Sequence, residues 1–454
     1  MKTRSQKTLP NDGSLLIIVL WVVFGLVAIT LYFANEMSLE LRASDNRVSG
    51  LASEQAIDGA MRYAGYILTN QIVNGTNGNI PDPASYQSEA VPVGNAHFWF
   101  IGRDNNGQSQ PGEVTFGLVD EASKLNLNTA SATNLYWLPN MTSEIAANIV
   151  DWRNTNGTTS ADGDGPTVYS ALGYTVKNLP FETVDELRLV YGMNMDLFTG
   201  EDANRNGVLD PNEIDANGNG TAAPGISEYV TVYSREPNPP GRVNISTITT
   251  ATVGPLRSLL QTNLNTTKAT QILRKLGLAA TSPGARAVTV TFKSPLDFYL
   301  KSGMAEADFA TIATNLTMTN SPYIKGRVNV NTASATVLAC LLNGDTESAQ
   351  QIVSYRLVNP ASLTSIAWVA DALTGNTSAL NTLRAHDNLT TQSFQFTADI
   401  AALGPNGRGY RRVRFVFDTA TGTPTLIYRQ DLTRLGWALG KDARQTWLFA
   451  KDSQ

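Results

Sequence analysis

The sequence predicts an α+β fold that combines one long amino-terminal helix, an antiparallel sheet and a large inserted domain, mainly α-helical. Three observations lead to this prediction. An apolar run near the amino terminus continues without proline into an amphipathic segment, alternating apolar and polar residues recur near both ends of the remaining chain, and a ten-residue motif is repeated between them. The 454 residues are enough for two or three domains, each with its own core.

Composition and charge exclude several function classes. Charged residues make up only 16% of the chain, a balance that favours an exported protein rich in turns over a cytoplasmic enzyme. The formal net charge is −5, and because residues 1–13 contribute +2 the remainder carries −7, which argues against a nucleic-acid backbone as the main partner. Cys340 is the single cysteine, so an intrachain disulfide is excluded, and the two histidines argue against a histidine-rich zinc site.

The first element combines a membrane span with a longer helix. Residues 15–34 are apolar and, at about 1.5 Å per residue, can cross a hydrocarbon core of about 30 Å. Basic residues before this run predict a cytoplasmic amino terminus and export of the bulk of the chain. The amphipathic continuation predicts one helix from about Ser14 to Leu68. Small residues form one stripe along it, namely Ala52, Ala56, Ala60 and Ala64.

This amino-terminal layout resembles a type IV pilin-like protein. The resemblance rests on a short basic leader that ends in Gly13 and is followed by a small residue, Ser14, and the apolar run, so that NDG precedes SLLIIVLW. It implies that a prepilin peptidase cuts between Gly13 and Ser14 and methylates the new terminus. The alternative is an ordinary signal anchor, and the long amphipathic continuation favours the pilin-like interpretation.

The fifth residue of the implied mature chain departs from the pattern of that family. Major pilins and pseudopilins carry Glu there, where the carboxylate neutralises a neighbour's terminal ammonium inside the membrane, whereas this chain has Ile18. A subunit at the tip of a filament has no neighbour ahead of it, and an unpaired carboxylate in the membrane is costly. The resemblance therefore implies a position at the tip.

The segments beyond the helix predict strands at both ends of an inserted domain. Residues 97–107 end in a DNNG turn, and the alternating apolar residues before this turn and in residues 112–124 predict a β-hairpin. Alternating segments at residues 393–403, 410–418 and 423–430 predict strands that complete the same sheet.

The inserted domain contains the repeated motif. KLNLNTASAT at residues 124–133 returns as RVNVNTASAT at residues 327–336, with seven of the ten positions identical, and a degenerate third copy begins at Arg242. In the strong copies the Asn-Thr-Ala-Ser portion is expected to cap one helix, and a second helix follows, over residues 142–153 in the first copy. Residues 178–193 predict a further helix in the same unit.

The repeated helical pairs resemble a helix-hairpin-helix layout, which binds DNA in several bacterial proteins. In those proteins the hairpin carries Gly-x-Gly, whose backbone amides approach a phosphate closely. The corresponding turns here, LPNMTSE and LLNGDTES, lack the paired glycines, and no cluster of Lys or Arg flanks them. The sequence therefore predicts a helix-packing unit and no nucleic-acid partner. The rival hypothesis is a membrane-anchored DNA-binding or DNA-uptake protein.

A combination of motifs supports a sharper resemblance. The pilin-like amino terminus is followed by VDEASKLNLN, by DWR after the second helix and by YVTVYS before another RVN. Together these resemble the K-type minor pseudopilin of type II secretion. The resemblance implies a type IV pilin-like fold whose sheet is interrupted by a large helical insertion. The implied segments are a leader (1–13), the long helix (14–70), the first part of the pilin domain (71–120), the inserted domain (121–390) and the completing strands (391–454).

The resemblance also implies a function and partners. The expected role is that of a non-enzymatic subunit at the tip of a pseudopilus, where it caps and initiates assembly for protein export. The expected partners are the I-type and J-type minor pseudopilins, the major pseudopilin below them and the prepilin peptidase. The expected location is the bacterial inner membrane, crossed once, with the bulk of the chain in the periplasm.

The acidic loop DANRNGVLDPNE, residues 202–213, fits the register of a twelve-residue EF-hand loop. Gly207 falls at the position of the sharp turn. The predicted ligands are the side chains of Asp202, Asn204, Asn206, Asp210 and Glu213 and the carbonyl of Val208. Three carboxylates and two amides predict a structural Ca²⁺ site of modest affinity, and the alternative is a solvated Asn/Gly-rich turn. The resemblance adds Asp162 and Asp164, which follow Asp151, as ligands of a second site, with a plain loop as the alternative.

No catalytic pattern emerges from the sequence, so the prediction is that the protein is not an enzyme. The chain lacks G-x-S-x-G, H-E-x-x-H and P-loop motifs. Cys340 is predicted to be a core thiol because it lies on the apolar face of a repeat helix. Asp120 and Glu121 are predicted to be solvated or capping groups. A membrane-anchored enzyme with an inconspicuous site remains the third alternative.

Overall fold

The computed structural model describes residues 12–110, 112–279, 288–441, 443 and 446. Its first element, α1 (Asp12–Val73), is one helix of 62 residues, about 93 Å long at the standard rise. The predicted long helix is therefore confirmed. Residues 1–11 of the predicted leader lie outside the described residues, and Gly13 and Ser14 fall in the first turn of α1.

The two halves of α1 differ in their surroundings. Residues 15–34 are exposed on every side. Among the described residues, one helix is long and apolar enough to cross a membrane, and it is α1. An all-round apolar helix is expected in a core or a bilayer, and none of the described residues covers this half. It is therefore a candidate membrane anchor.

The remaining helices are short, and most lie between the first and last parts of the main sheet. The α-helices are α2 (Ala132–Tyr136), α3 (Ser143–Trp152), α4 (Pro166–Ala171), α5 (Met195–Thr199), α6 (Ile226–Tyr229), α7 (Gly254–Asn263), α8 (Thr266–Lys275), α9 (Pro295–Ser302), α10 (Glu306–Ile312), α11 (Ala335–Leu341), α12 (Thr346–Val358), α13 (Trp368–Ala372) and α14 (Thr377–Arg384). Short 3₁₀ helices occupy Pro83–Ser85, Glu121–Ser123, Val184–Leu189, Ala313–Asn315, Pro360–Ser362, Pro405–Gly407 and Thr433–Leu435.

The strands fall into one main sheet and several two-stranded ladders. In chain order they are β1 (Val91–Val93), β2 (Ala96–Phe100), β3 (Val119–Asp120), β4 (Leu125–Asn126), β5 (Val230–Thr231), β6 (Arg235–Pro237), β7 (Val243–Asn244), β8 (Thr247–Thr249), β9 (Thr289–Thr291), β10 (Leu316–Thr317), β11 (Tyr323–Lys325), β12 (Val328–Asn329), β13 (Leu389–Thr390), β14 (Gln395–Leu403), β15 (Arg411–Asp418) and β16 (Thr425–Asp431). The predicted carboxyl-terminal strands are present as β14, β15 and β16.

The main sheet is antiparallel and is interrupted by the helical domain. Its order is β1-β2-β14-β15-β16, and β3 pairs with β14 as well. The chain leaves this sheet after β3 and returns at β14. The ladders within the helical part include three parallel pairs, β4 with β5, β7 with β10 and β12 with β13. The predicted α+β fold, with a long helix, an antiparallel sheet and a helical domain, is confirmed.

One face of the sheet packs on the second half of α1. Ile400 of β14 lies opposite Phe100 of β2 and Val413 of β15, so these side chains share a face. Against them lies the predicted small-residue stripe of α1, where Ala56, Ala60 and Ala64 are fully buried. Small side chains let the helix approach the aromatic residues of the sheet closely, and Ala52 is only partly buried at the edge of this contact.

The opposite face of the sheet contacts the helical domain. A smaller apolar cluster there joins Trp99, Ala401 and Leu403 of the sheet to Val208 of the acidic loop and Leu439 near the carboxyl terminus. The helical domain has a separate, larger core. The sheet therefore lies between α1 and the loop predicted to bind calcium.

One local prediction is confirmed only in part, and another is wrong. The predicted hairpin around DNNG is short: beyond β2 it has one bridged pair, Ile101 with Phe116, beside which the amides of Gly102 and Gly117 donate to the carbonyls of Thr115 and Phe100 at 2.7 and 2.9 Å, and residues 113–115 form no strand. The helix predicted for residues 178–193 is limited to the 3₁₀ helix Val184–Leu189, which has an extended residue on each side.

Candidate metal centre

The repeated motif begins in the same way in all three copies. Each copy begins with one strand of a parallel pair, and the first asparagine of the motif ends that strand. Its side-chain oxygen accepts the backbone amide two residues further on, at 2.9–3.0 Å, from Asn128 to Asn126, from Ser246 to Asn244 and from Asn331 to Asn329. These Asx turns direct the chain toward the first helix in the two strong copies and into β8 in the third, so the asparagines serve the fold of the repeat itself.

The serine of Asn-Thr-Ala-Ser caps the first helix of each strong copy, as predicted. Ser131 Oγ accepts the amide of Asn134 at 3.1 Å, and Ser334 Oγ accepts the amide of Val337 at 3.3 Å. The helices α3 and α12 follow as the second members of each pair. The predicted helical pairs are therefore confirmed.

An arginine at the end of each second helix ties the pair back to its own motif. Arg153 donates to the carbonyl oxygens of Leu127 and Ala130. The equivalent contacts, 203 residues further along, join Arg356 to Val330 and Ala333. Because these guanidinium groups are committed to backbone carbonyls inside the repeat, they are not presented to a phosphate.

The two strong copies pack on each other through their hairpins. Asn134 Nδ2 donates to the carbonyl of Cys340 at 2.9 Å. A Cβ atom on Gly344 would lie 2.3 Å from the ring of Trp137, so only glycine allows this contact, and its φ of +86° also favours glycine. The hairpin of the second copy is therefore covered by the first copy. Cys340 is fully buried, which confirms the predicted core thiol, and burial raises its pKa to about 12.

The prediction that Asp120 and Glu121 are solvated is wrong, although Asp120 does cap a 3₁₀ helix. Asp120 Oδ2 accepts the hydroxyls of Ser393 and Thr332, both at 2.6 Å, and burial raises its pKa to about 6. Glu121 accepts the hydroxyls of Thr231 and Thr397. The pair lies where the chain passes from the sheet to the repeats, and hydroxyl groups replace the water that the sequence-based prediction assumed.

The acidic loop 202–213 points alternate side chains inward. The residues at its first five odd positions are at most 7% exposed, namely Asp202, Asn204, Asn206, Val208 and Asp210. Glu213 is partly buried, and the residues between them are more exposed. The helices on either side are the short α5 and α6, so the loop lacks the two long helices of an EF-hand.

Backbone amides and side chains fix the conformation of this loop. Asp202 accepts the amides of Asn206 and Gly207 at 2.9 Å each, while Glu213 accepts those of Asn204 and Asp210 at 3.0 Å each. Burial raises the pKa of Asp202 to about 6. Since water is excluded, charge on Asp202 needs compensation inside the loop.

One polar atom in the loop fits a cation directly. Asn204 Oδ1 is buried and accepts no hydrogen bond from the described residues, while the Nδ2 groups of Asn204 and Asn206 donate to Asp210 Oδ2 at 2.6 and 2.9 Å. An orphaned carbonyl oxygen beside carboxylates suits Ca²⁺, which takes six to eight oxygen ligands. Among the described residues no three His, Cys, Asp or Glu side chains form a metal-binding group by themselves. A cation here would therefore depend on the asparagine oxygens and on backbone carbonyls.

Two arginines that no sequence pattern singled out attach this loop to the sheet. Arg412 of β15 donates to the carbonyl oxygens of Asn204 and Arg205. Arg103, which follows β2, donates to the same Arg205 carbonyl at 2.8 Å. Both arginines are far from the loop in sequence, so only the tertiary fold brings them together. No local sequence signal identifies them.

The residues predicted for a second site are close in space but make different contacts. Asp162 is exposed. Asp164 Oδ2 accepts Asn148 Nδ2 at 2.6 Å, and the charge of Asp164 raises the pKa of the exposed Glu144. Asp151 is occupied by Ser160, which donates through both its amide and its hydroxyl. A second site at Asp162 and Asp164 stays a prediction.

A neighbouring loop repeats the hydrogen-bond pattern of the first. Asp215 accepts the amides of Asn219 and Gly220 at 3.2 and 2.9 Å, as Asp202 accepts those of Asn206 and Gly207. Glu201 accepts the amides of Ala216 and Ala223, both at 2.9 Å, as Glu213 does in the first loop. Glu201 precedes its loop instead of following it, and this is why the EF-hand register did not identify it.

Comparisons with known proteins give two findings. The family model of the helix-hairpin-helix motif matches residues 120–160, which confirms the predicted layout for the first copy. The chain is also similar to a chain in the crystal structure of the GspK-GspI-GspJ complex from the enterotoxigenic Escherichia coli type 2 secretion system, with 10% identity and a TM-score of 0.40. That alignment covers 86% of this chain and 99% of the other. Comparison with curated protein sequences gives no match.

Proposed function

We propose that this protein is a minor pseudopilin of the K type, a membrane-anchored and non-enzymatic subunit of a type II secretion pseudopilus. The observation that carries the proposal is the two-part helix α1. Its first half is apolar and uncovered, and its second half carries a small-residue stripe that holds an antiparallel sheet. This arrangement suits a subunit that is held in a bilayer at one end and presents a folded head at the other.

The proposed position is the tip of the pseudopilus. The helical domain, inserted between β3 and β14, adds a second core to the head. A head enlarged in this way would obstruct the stacking of another subunit on it. Ile18 supports the same position, because a tip subunit has no neighbour whose terminal ammonium needs a carboxylate. The subunit would cap the filament and initiate its assembly.

The proposed partners follow from the resemblance to the K-type family. They are the I-type and J-type minor pseudopilins at the tip and the major pseudopilin below. GspI and GspJ accompany GspK in the solved complex. A prepilin peptidase would cut between Gly13 and Ser14 and methylate the new terminus, and the anchor would cross the inner membrane once with the head in the periplasm.

We also propose that loop 202–213 holds a structural Ca²⁺. The support is the inward alternation of its side chains and the orphaned Asn204 Oδ1. Calcium binding would stabilise the folded state by an amount that rises with the logarithm of the free calcium concentration, about 2.7 kcal/mol at one hundred times Kd. The positive ion would compensate the negative charge of the buried carboxylate oxygens and would take no part in a reaction.

The position at the tip is tested by labelling the head of the full-length protein in isolated pseudopili. The proposal predicts gold particles at one end of each filament, and deletion of the I-type or J-type partner should remove them. Particles spaced along the shaft would contradict the proposal, because the helical domain would then have to fit between neighbours.

The calcium site is tested by thermal unfolding of the full-length protein in detergent with calcium or with a chelator. Calcium should raise the unfolding temperature of the wild type and have a much smaller effect on Asp202→Asn. Asp196→Asn, an exposed carboxylate six residues upstream, should behave as the wild type. An equal response of Asp202→Asn would remove the support for this site.

The match to the helix-hairpin-helix motif keeps a DNA-binding function as the rival. That function predicts salt-sensitive binding of duplex DNA by the detergent-solubilised protein, with log K falling steeply as salt rises. Two features argue against DNA binding. The hairpin at Gly344 is covered by the first copy, and Arg153 and Arg356 donate to backbone carbonyls of the repeat. Duplex affinity that responds to salt would favour the rival.

A further inference from the structure

The acidic loop belongs to the helical domain, but its conformation is held by the sheet. Arg412 is fully buried in β15 and contacts the loop at two successive carbonyl oxygens, those of Asn204 and Arg205. Arg103 donates to the same Arg205 carbonyl and pairs with Glu228 at 2.6 Å. Two guanidinium groups of the sheet domain therefore fix one peptide segment of the loop.

The side-chain amides of the loop are held by the end of the chain. Asn204 Nδ2 donates to the carbonyl of Trp437 at 3.0 Å, and Asn206 Nδ2 donates to that of Ala438 at 3.2 Å. Fixing each amide nitrogen also fixes its carbonyl oxygen, which lies on the other side of the same group. Residues 437–438 thus orient the oxygens that the loop would offer to a cation.

The charges around Arg412 leave little freedom for it to move. Its Nε and Nη2 atoms contact Asp399 Oδ1 and Oδ2 at 2.8 and 2.9 Å, and Arg414 contacts Asp399 as well. Burial alone would raise the pKa of Asp399, but the charges of Arg412 and Arg414 outweigh it and hold that pKa well below its ordinary value. Asp399 therefore stays ionised and keeps Arg412 in place beneath the loop.

We propose that cation binding in loop 202–213 and docking of the helical domain on the sheet are coupled, with Arg412 and Arg103 as the positioning residues. The proposal rests on the calcium site proposed above. A cation that orders the loop strengthens the contacts of the loop carbonyl oxygens with both arginines. Docking of the helical domain on the sheet in turn holds the loop in the conformation that binds the cation. By linkage the two effects are equal in free energy. The loop then acts as a calcium-dependent latch between the two parts of the head.

The test compares Arg412→Lys with Arg411→Lys in the full-length protein in detergent. Lysine keeps the charge next to Asp399 but cannot reach two carbonyl oxygens and a carboxylate together. Arg411 is the exposed neighbour in the same strand and serves as the matched control. Calcium affinity is measured by titration calorimetry, and hydrogen exchange is measured with and without calcium.

The latch predicts that Arg412→Lys binds calcium about tenfold more weakly, within the usual range of coupling between sites, while Arg411→Lys binds as the wild type does. It also predicts that calcium slows exchange in residues 411–416 and 436–439 of the wild type, which are far from the loop in sequence. This second measurement needs no variant, so it holds even if Arg412→Lys folds poorly.

The outcomes separate this inference from the one on which it rests. If the wild type binds no calcium, the proposed site itself is wrong. If the wild type binds calcium but exchange slows only in residues 202–213, the site stands and the latch is overturned. Equal calcium affinity in Arg412→Lys and Arg411→Lys would overturn the latch in the same way.

Discussion

At the level of single residues, the buried carboxylate of Asp120 lies where the sheet meets the helical domain. Asp120 is 5% exposed, and its carboxylate depends on the hydroxyls of Ser393 and Thr332. Hydroxyl groups stabilise a carboxylate less completely than water does when the surroundings are apolar, so the pKa of Asp120 rises to about 6. The folded chain therefore retains a proton at a pH where the unfolded chain has lost it.

This difference predicts a pH dependence of stability. Because the pKa of Asp120 in the folded chain is above the ordinary value of 3.8, its protonation stabilises the folded state. This stabilisation is fully present below about pH 4 and is lost as the pH rises through about 6. Asp120→Asn stays neutral at every pH, so between pH 4 and pH 7 it should avoid a loss of up to about 3 kcal/mol in the free energy of unfolding. Denaturant unfolding with a chelator present measures this.

The control for that prediction is the exposed Asp196→Asn, whose stability should follow the wild-type curve across the same range. A constant difference between Asp120→Asn and the wild type at all pH values would show that Asp120 is equally ionised in the folded and unfolded chains. The account of its burial would then be wrong.

At the scale of elements, the contact between the head and α1 depends on glycine. The loop between β14 and β15 crosses α1 so closely that a Cβ atom on Gly409 would lie 2.4 Å from the backbone carbon of Ser49. Ser53 Oγ donates to the Gly409 carbonyl in the same contact. The position of the head along the helix is thus fixed by backbone contact, in addition to the apolar packing of the sheet.

Replacing this glycine predicts a measurable loss. Gly409→Ala combines a left-handed backbone conformation, at φ of +69°, with a clash against α1, so it should lower the free energy of unfolding by about 3 kcal/mol or more. Gly422→Ala shares the positive φ but has open space, and it should cost only about 1–2 kcal/mol. Equal losses in thermal unfolding would mean that the close approach contributes nothing.

The elements that the sequence predicted are those set by local patterns. Helix α1 follows from an unbroken apolar and amphipathic run, and the register of loop 202–213 follows from spacing alone. The hairpin after β2 was predicted, but its short length was not, because no pattern marks the close contact of Gly102 with the backbone of residues 115–117, where a β-carbon would clash. Arg103 and Arg412 were not predictable for the same reason, since their contacts join segments separated by about a hundred residues or more.

At the scale of the whole molecule, the sheet is built from two distant parts of the chain. β14 pairs with β2 and β3 on one side and with β15 on the other. The helical domain between β3 and β14 is therefore an insertion whose two ends lie side by side in the sheet. Three copies of one motif lie in this inserted domain, and the two strong copies pack against each other. The result is a large head on one long helix.

If α1 is the processed helix of a pseudopilin, the membrane-extracted protein has a new amino terminus, and sequencing that terminus would identify it. We expect a mature chain that begins at Ser14 and carries a methyl group, and we expect Gly13→Leu to block the cut. A chain that begins at Met1 in cells with an active prepilin peptidase would contradict this expectation.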